Sequence, residues 1–238
     1  METFTLEELV KKLRKIKSLG FVKTVYANDG GVGATLEKLL GIKENNLKLA
    51  DWGEVEIKAK REKSKSMLTL TSKQTLPSGS MRLLYDKYGI VRSDGIKKLY
   101  CTIKGSAKET HGFILSLKGE KLIIDNPKKV EAYWLIDDLF DHLVNKNKKT
   151  LLAFAKTEGK RNTIDEKFHY VEVFLLSGLR MKKFLSAIKD GKLKIDTRIG
   201  ADKTGKKIGA YHDHGAGMRI HKKDFLELFD EYKVLIEY

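Results

Sequence analysis

Three charged residues in one short stretch have types and spacing that suit hydrolytic chemistry. In 50-ADWGEVEIKAK-60, charged residues alternate with apolar ones from Val55 onward, which is the period of a half-buried β-strand. Glu56 and Lys58 then share one face, with Cα atoms roughly 6.5 Å apart along a strand that rises about 3.3 Å per residue. Asp51 precedes them across a short Trp-Gly connection. The pattern has two interpretations, an ordinary solvated face or a reactive site.

The reactive interpretation concerns a metal ion. Two carboxylates at the start of a strand, here Asp51 and Glu56, offer the hard oxygen ligands that suit Mg²⁺. A lysine beside that metal, here Lys58, can orient or deprotonate the attacking water and stabilise charge on a phosphate. Acid-x-Lys patterns occur elsewhere in the chain, as at Glu158/Lys160, so the spacing alone favours an ordinary charged strand face.

Glu37 is a third acidic candidate. It lies in 35-TLEKLL-40, which reads as a short helix that follows a glycine-rich segment and ends at Gly41. At about 100° per residue, Glu37 falls on the edge of the apolar stripe of that helix. It is therefore either a boundary residue or an additional acid near the metal.

The net charge points to an anionic partner. The 238 residues carry 47 Lys and Arg against 32 Asp and Glu, which gives +15. The surplus of positive charge is spread along the chain. It favours a polyanionic partner, and nucleic acid is favoured over an anionic membrane or a role in solubility alone.

A single cysteine, Cys101, excludes an internal disulfide framework and suits a reducing compartment. No apolar run approaches the ~20 residues that span a bilayer, so we expect a cytoplasmic protein without membrane association.

The elements that must position these residues alternate between helices and strands, which predicts a mixed α+β fold. The spacing of Thr5 and Glu8 predicts a capping box for a first helix that runs until Gly20. The strand of 50-ADWGEVEIKAK-60 should have 66-SMLTLTSK-73 as its antiparallel neighbour, and we place a domain boundary near residue 105. Further helices are expected near 80–89, 135–144 and 179–189, and strands near 99–105, 112–119, 120–125, 150–157, 168–176 and 192–199, before a terminal helix and strand. The strands near 112–119 and 120–125 should form a hairpin through Lys118-Gly119.

Two segments late in the chain carry further candidates. The stretch 200-GADKTGKK-207 almost fits a phosphate-binding loop, but Lys207 replaces the hydroxyl that would hold Mg²⁺, so we interpret it as a basic loop. In 211-YHDHGAGMRI-220, His212 and His214 would share one strand face, which allows a zinc site, base contacts or a structural role. Arg219 can meet a base edge, because arginine to guanine is the commonest specific contact.

These segments together resemble a known family. The blocks GGVGATLEKLLG, NLKLADWGEVEIKAK and SMLTLTSK look like the MvaI/BcnI family of type II restriction endonucleases, and more distantly like the mismatch-repair nicking endonuclease MutH. The late block KIDTRIGADKTGKKIGAYHDHGAGMRI is similar to the DNA-reading segment of the MvaI/BcnI family. The matching blocks cover roughly residues 29–73 and 192–221.

The resemblance implies a PD-(D/E)XK nuclease core, with a mixed central sheet flanked by helices and two lobes that form a DNA-binding cleft. It implies that Asp51 and Glu56 bind the metal, Lys58 is the catalytic lysine and Glu37 completes the site. Ala50 stands where the motif name has proline, at a position that varies widely in this superfamily. Residues 1–105 would form the catalytic lobe and residues 106–238 the DNA-recognition lobe.

The resemblance also implies the substrate. Mg²⁺-activated water would hydrolyse phosphodiester bonds of double-stranded DNA at a short G·C-rich site of CC-N-GG type, leaving a 5′-phosphate and a 3′-hydroxyl. Arginines suit guanine and an aspartate suits the cytosine amino group, whereas the lysines of the basic loop would contact the backbone. The implied DNA-binding residues are Asp196, Arg198, Lys203, Lys206, Lys207, His212, Asp213, His214 and Arg219.

The resemblance extends to partners. Relatives act as monomers, and a restriction enzyme implies a cognate DNA methyltransferase in the host. Two other functions remain open at this point, a MutH-like nickase of mismatch repair and a catalytically inert DNA-binding protein that retains the fold.

Overall fold

The computed structural model describes residues 5–42, 55–201, 211–213 and 215–238, which form the predicted mixed α+β fold. In this part of the chain the helices are α1 (Leu6–Ser18), α2 (Gly31–Leu40), α3 (Ser80–Tyr88), α4 (Ile136–Lys146), α5 (Met181–Lys189) and α6 (Lys222–Phe225), with a 3₁₀ helix at Leu226–Leu228. The strands are β1 (Val22–Lys23), β2 (Val55–Arg61), β3 (Leu68–Ser72), β4 (Ile90–Val91), β5 (Lys97–Lys104), β6 (Ile114–Lys118), β7 (Lys121–Asp125), β8 (Tyr133–Leu135), β9 (Lys149–Glu158), β10 (Lys167–Leu179), β11 (Leu193–Ala201), β12 (Tyr211–Asp213), β13 (Gly217–Ile220) and β14 (Phe229–Ile236).

The chain divides into two compact units that interleave along the sequence. The first unit combines Met1–Ser66, Val144–Leu179 and Phe229–Tyr238, and the second combines Met67–Leu143 and Arg180–Leu228. The boundary predicted near residue 105 does not coincide with this division, because β9, β10 and β14 complete the sheet of the first unit. The assignment of catalysis and recognition to residues 1–105 and 106–238 therefore does not follow the units as they are built.

The first unit is a sheet covered by two helices. Its strand order is β1-β10-β9-β2, with β14 also paired to β10. β9 is buried from Thr150 to Ala155, as expected of a strand inside a sheet. Helices α1 and α2 pack their apolar stripes on this sheet, and the resulting core includes Leu9, Leu13, Ile16, Leu36, Leu40, Ile57, Leu151 and Phe168.

The second unit contains two antiparallel sheets. The larger one has the order β3-β13-β11-β5-β4, with β12 also paired to β11, and the smaller one has the order β6-β7-β8. The predicted hairpin is confirmed, since Lys118 of β6 pairs with Lys121 of β7 across a tight turn. Large side chains of this unit are fully buried, including Phe113, Trp134, Phe184 and Phe225. Among the residues described, no helix is long and apolar enough to cross a membrane.

The predicted pairing of the 66–73 strand with the strand of Glu56 is wrong. β2 pairs in parallel with β9, with Glu56 opposite Thr150 and Lys58 opposite Leu152. β3 instead pairs with β13 in the second unit. The chain passes from the first unit to the second between Ser66 and Met67, so nearness in sequence does not make the two strands neighbours.

The entry to α2 depends on a glycine. A Cβ added to Gly31 would lie 2.4 Å from the carbonyl oxygen of Tyr26 and 2.6 Å from Oγ1 of Thr24. Only glycine therefore allows the loop at 24–30 to fold back so closely on the first turn of the helix. At the other end Gly41 adopts φ 83° and ends α2 at the residue predicted from the sequence.

Candidate functional site

Glu56 and Lys58 form a direct ion pair on β2. The Nζ atom of Lys58 lies 2.9 Å from Oε1 of Glu56, and the two side chains are only 9% and 8% exposed. The next charged residue of the strand, Lys60, is also buried, although the solvated interpretation requires exposed charges. The charged side chains of β2 therefore lie in a protected site, which favours the reactive interpretation of the strand.

A second lysine that sequence reasoning missed reaches the same carboxylate. Lys146, the last residue of α4, places its Nζ atom 3.5 Å from Oε1 of Glu56. Its side chain is 36% exposed, so its charge is better hydrated than that of Lys58. The only signal in the sequence was a basic residue in the last turn of a helix, which is common and does not indicate a site.

Glu37 lies on the helix that packs against the strand of Glu56. It is half-buried on α2 and lines a pocket of about 300 Å³ with Val25, Tyr26, Ala34, Lys38 and Ile42. Burial raises the pKa of the Tyr170 hydroxyl, and the negative charge of Glu37 raises it further. The carboxylate of Glu37 therefore lies close enough to the buried Tyr170 for its charge to act on that hydroxyl.

The described acids suit a hard cation. Glu56 and Glu37 both offer carboxylate oxygens, and Mg²⁺ is bound by one or two carboxylates together with water and phosphate oxygens. Asp51, the other predicted ligand, lies outside the described residues. The donor set therefore fits Mg²⁺ by its chemistry.

The predicted recognition residues meet on the larger sheet of the second unit. Asp196 of β11 accepts a hydrogen bond from the Thr102 hydroxyl at 2.6 Å and forms an ion pair with Arg219 of β13 at 3.2 Å. Thr102 lies opposite Asp196 on the neighbouring strand β5 and was not predicted. Its signal was weak, since a threonine in a strand is ordinary.

Two arginines converge beside a glycine on this sheet. A Cβ added to Gly217 would lie 3.5 Å from Nη2 of Arg198 and 3.8 Å from Cδ of Arg219. Arg219 donates from Nη2 to the carbonyl oxygen of Met67 at 3.0 Å. Within the described part of the chain, the buried Nε atoms of both arginines have no hydrogen-bond partner. Buried donors without an acceptor are costly, so the fold carries this cost where the two arginines meet.

The His212 segment is described only in part. His212 and Asp213 lie on β12, which pairs with β11 opposite Gly200 and Ile199. Asp213 accepts the backbone N–H of Gly215 at 2.8 Å. Four of the predicted DNA-binding residues lie outside the described part of the chain, namely Lys203, Lys206, Lys207 and His214. The zinc interpretation of His212 and His214 therefore stays a prediction.

A separate cluster of potential metal ligands is formed by Cys101, Glu109 and His111, whose ligand atoms lie within 4.8 Å of one another. Each group already has a protein partner. Glu109 accepts from Nδ1 of His111 at 2.9 Å and from two backbone N–H groups, and the thiol of Cys101 contacts Oγ1 of Thr197 at 3.1 Å. Burial raises the pKa of Cys101 to about 12, which keeps the thiol protonated. These contacts explain the cluster without an ion.

Solved structures of a restriction endonuclease are similar to this chain over nearly its whole length. A restriction endonuclease MvaI bound to its cognate DNA substrate superposes with a TM-score of 0.85 at 28% identity, covering 99% of this chain and all of that one. MvaI in the absence of DNA superposes with a TM-score of 0.59 at the same identity and coverage. No curated protein matches the chain.

The fold defines the class. The mixed sheet and its covering helices are those of a PD-(D/E)XK-type nuclease fold. The model of the MvaI/BcnI restriction endonuclease family matches residues 10–229, and the chain belongs to that family.

Proposed function

We propose that the chain is a Mg²⁺-dependent endonuclease that cleaves double-stranded DNA at a short G·C-rich site of CC-N-GG type. The observation that carries the proposal is the buried ion pair between Glu56 and Lys58 in a member of a restriction endonuclease family. The related MvaI structure is described as a complex with cognate DNA substrate, which supports duplex DNA as the substrate here.

In this proposal Asp51 and Glu56 would hold Mg²⁺ and Glu37 would complete the site. A bound Mg²⁺ supplies a Lewis acid and lowers the pKa of a water molecule. The Lys58 ammonium, held 2.9 Å from Glu56, would orient the attacking water and stabilise negative charge on the phosphate. Hydrolysis breaks the bond between phosphorus and the 3′ oxygen, which leaves a 5′-phosphate and a 3′-hydroxyl.

Recognition is proposed for the sheet that carries Asp196, Arg198 and Arg219. The two arginines suit guanine O6 and N7, and Asp196 suits the amino group of cytosine. His212, Asp213 and His214 would add base contacts, while Lys203, Lys206 and Lys207 would contact phosphates without reading sequence. The ion pair between Asp196 and Arg219 and the approach of Arg198 to Gly217 support this role, since they bring the three charged groups together on one sheet.

Two further parts of the proposal rest on family membership alone. The chain acts as a monomer on a DNA duplex. A DNA methyltransferase in the same cell protects the same sites.

The function is tested by incubating DNA of known sequence with the protein and Mg²⁺ and sequencing the ends. We expect both strands to be cut at one short site with 5′-phosphate ends. Nicks in one strand only would support the MutH-like alternative, and intact DNA would contradict any nuclease.

Lys58→Ala separates catalysis from binding. We expect cleavage to fall by about 10²-fold or more, because a positioned group in proton transfer contributes 10²–10⁴-fold. Affinity for the duplex should be retained. The matched control is Lys11→Ala, which removes an exposed lysine of α1 and should leave cleavage unchanged. If Lys58→Ala cleaves like the control, the assigned role of the β2 site is wrong.

A further inference from the structure

Arg61 lies three residues after Lys58 on β2 and is buried together with Glu166. Its Nε atom donates to Oε1 of Glu166 at 2.6 Å, and its Nη2 atom donates to Oε2 at 2.7 Å. This is a bidentate pair of a fork-shaped cation with a carboxylate, the geometry that fixes both partners in position.

The same guanidinium also holds the loop that leads into α2. It donates from Nη1 to the carbonyl oxygen of Asp29 at 3.0 Å and from Nη2 to that of Asn28 at 3.2 Å. Gly30 follows directly as the N-cap residue of α2, the helix that carries Glu37. One side chain therefore connects the strand of Glu56 and Lys58 with the start of the Glu37 helix.

The turn before β10 closes the network. Asn162 accepts from Arg61 at 3.3 Å, donates its backbone N–H to Glu166 at 2.9 Å and donates from Nδ2 to Asp29 at 3.0 Å. The backbone N–H of Thr24 donates to the carbonyl oxygen of Glu166 at 2.9 Å. The loop is thus held at both of its ends.

A buried ion pair of this kind is weak evidence for stability, because apolar side chains of similar volume often stabilise a fold equally well. What the pair supplies here is geometry. A lysine at position 61 would keep the charge but could not reach Glu166 and two carbonyl oxygens at once, since its ammonium is a compact point charge.

We propose that Arg61 and Glu166 are positioning residues that set α2 against β2 and thereby tune the affinity of the Glu56 and Glu37 site for a divalent cation. The inference rests on the proposed function. In the proposed function neither Arg61 nor Glu166 contacts the reacting atoms. Both act through Glu56 and Glu37, whose relative position they set.

The test measures metal binding directly, by titrating Mn²⁺ into the whole protein in a calorimeter. Arg61→Lys and Glu166→Gln should each weaken Mn²⁺ binding about tenfold, as residues that orient metal ligands typically do. The Mg²⁺ concentration for half-maximal single-turnover cleavage of plasmid DNA should rise in the same direction. Asn162→Gly should weaken Mn²⁺ binding by a smaller factor. It removes side-chain hydrogen bonds at the exposed edge of the network, such as that to Asp29, and glycine suits the positive φ of this residue.

The matched control is Ile16→Val, which removes a methyl group from the same core without touching the network. It should lower the melting temperature and leave Mn²⁺ affinity unchanged. If the network variants lose stability but bind Mn²⁺ like wild type, the network is purely structural and the inference is overturned. If wild-type protein itself neither binds Mn²⁺ nor cleaves DNA, the proposed function fails as well.

Discussion

Glu56 and Lys58 show what a buried ion pair means at the scale of single residues. Removing two charges from water costs several kcal/mol per ion, on the order of what their attraction returns, so the pair contributes little net stability. Lys58 is nevertheless 9% exposed and held at 2.9 Å from its partner. A charged pair at such a position is better explained by a chemical task than by stability.

A substitution at Arg219 distinguishes recognition of DNA bases from sequence-independent affinity for DNA. Arg219→Ala should weaken binding to cognate DNA by about 1–3 kcal/mol and relax specificity, because a guanidinium on a base edge discriminates between bases. Competition binding with cognate and random duplexes measures both effects. The substitution also frees Asp196 from its ion pair at 3.2 Å, which adds to the loss on cognate DNA.

The control for this prediction is Arg92→Ala, which removes the same charge from an exposed residue of the second unit. It should change binding to both duplexes equally and slightly. Equal losses on cognate and random DNA for Arg219→Ala would contradict its role in reading bases.

Among helices and strands, the sequence predicted correctly those features that depend on neighbouring residues, such as helix caps, helix ends and tight turns. The capping box of Thr5 and Glu8, the end of α2 at Gly41 and the β6–β7 hairpin were all predicted and are present. The neighbour of β2 was predicted wrongly, because its parallel partner β9 begins only at Lys149 and no local signal connects the two. Parallel pairing requires a long crossover, which a reading of adjacent segments misses.

The same limit applies to the site. The period of a strand placed Glu56 and Lys58 on one face, and the structure pairs them. Lys146 and Thr102 reach the predicted residues from α4 and β5, so only the tertiary fold identifies them. The network of Arg61 and Glu166 joins residues 105 positions apart and was likewise beyond the sequence.

The first helix offers a test at the scale of an element. The Thr5 hydroxyl accepts the backbone N–H of Glu8 at 3.2 Å, and the Glu8 carboxylate accepts that of Thr5 at 2.8 Å. Thr5→Ala should lower the free energy of unfolding by about 1 kcal/mol, the usual cost of losing an N-cap residue. Urea unfolding measures the change, and Thr5→Ser should restore most of it. A Thr5→Ala protein as stable as wild type would contradict the capping role.

At the scale of the whole molecule, the chain builds two units from alternating segments. Leu179 ends the first unit's second segment, and Phe229 returns the chain to that unit as β14. Charge and turns in the sequence gave one boundary near residue 105, since neither reports which distant strands share a sheet. The net charge of +15, by contrast, is a property of composition and needs no fold to be predicted.

That charge leads to a prediction about salt. Each phosphate neutralised by a lysine or arginine releases condensed counterions, so the logarithm of the binding constant should fall linearly with the logarithm of salt concentration, with a slope of about −0.9 per contact. Lys206, which lies outside the described residues, is a predicted phosphate contact. Lys206→Ala should therefore weaken binding to cognate and random duplexes alike and reduce the magnitude of the slope by about 1. Lys11→Ala on α1 serves as the control and should leave the slope unchanged, because this exposed lysine is not among the predicted phosphate contacts. A slope that stays the same for Lys206→Ala would mean that the basic loop does not meet the backbone, and the affinity would then have to come from other cations of the chain.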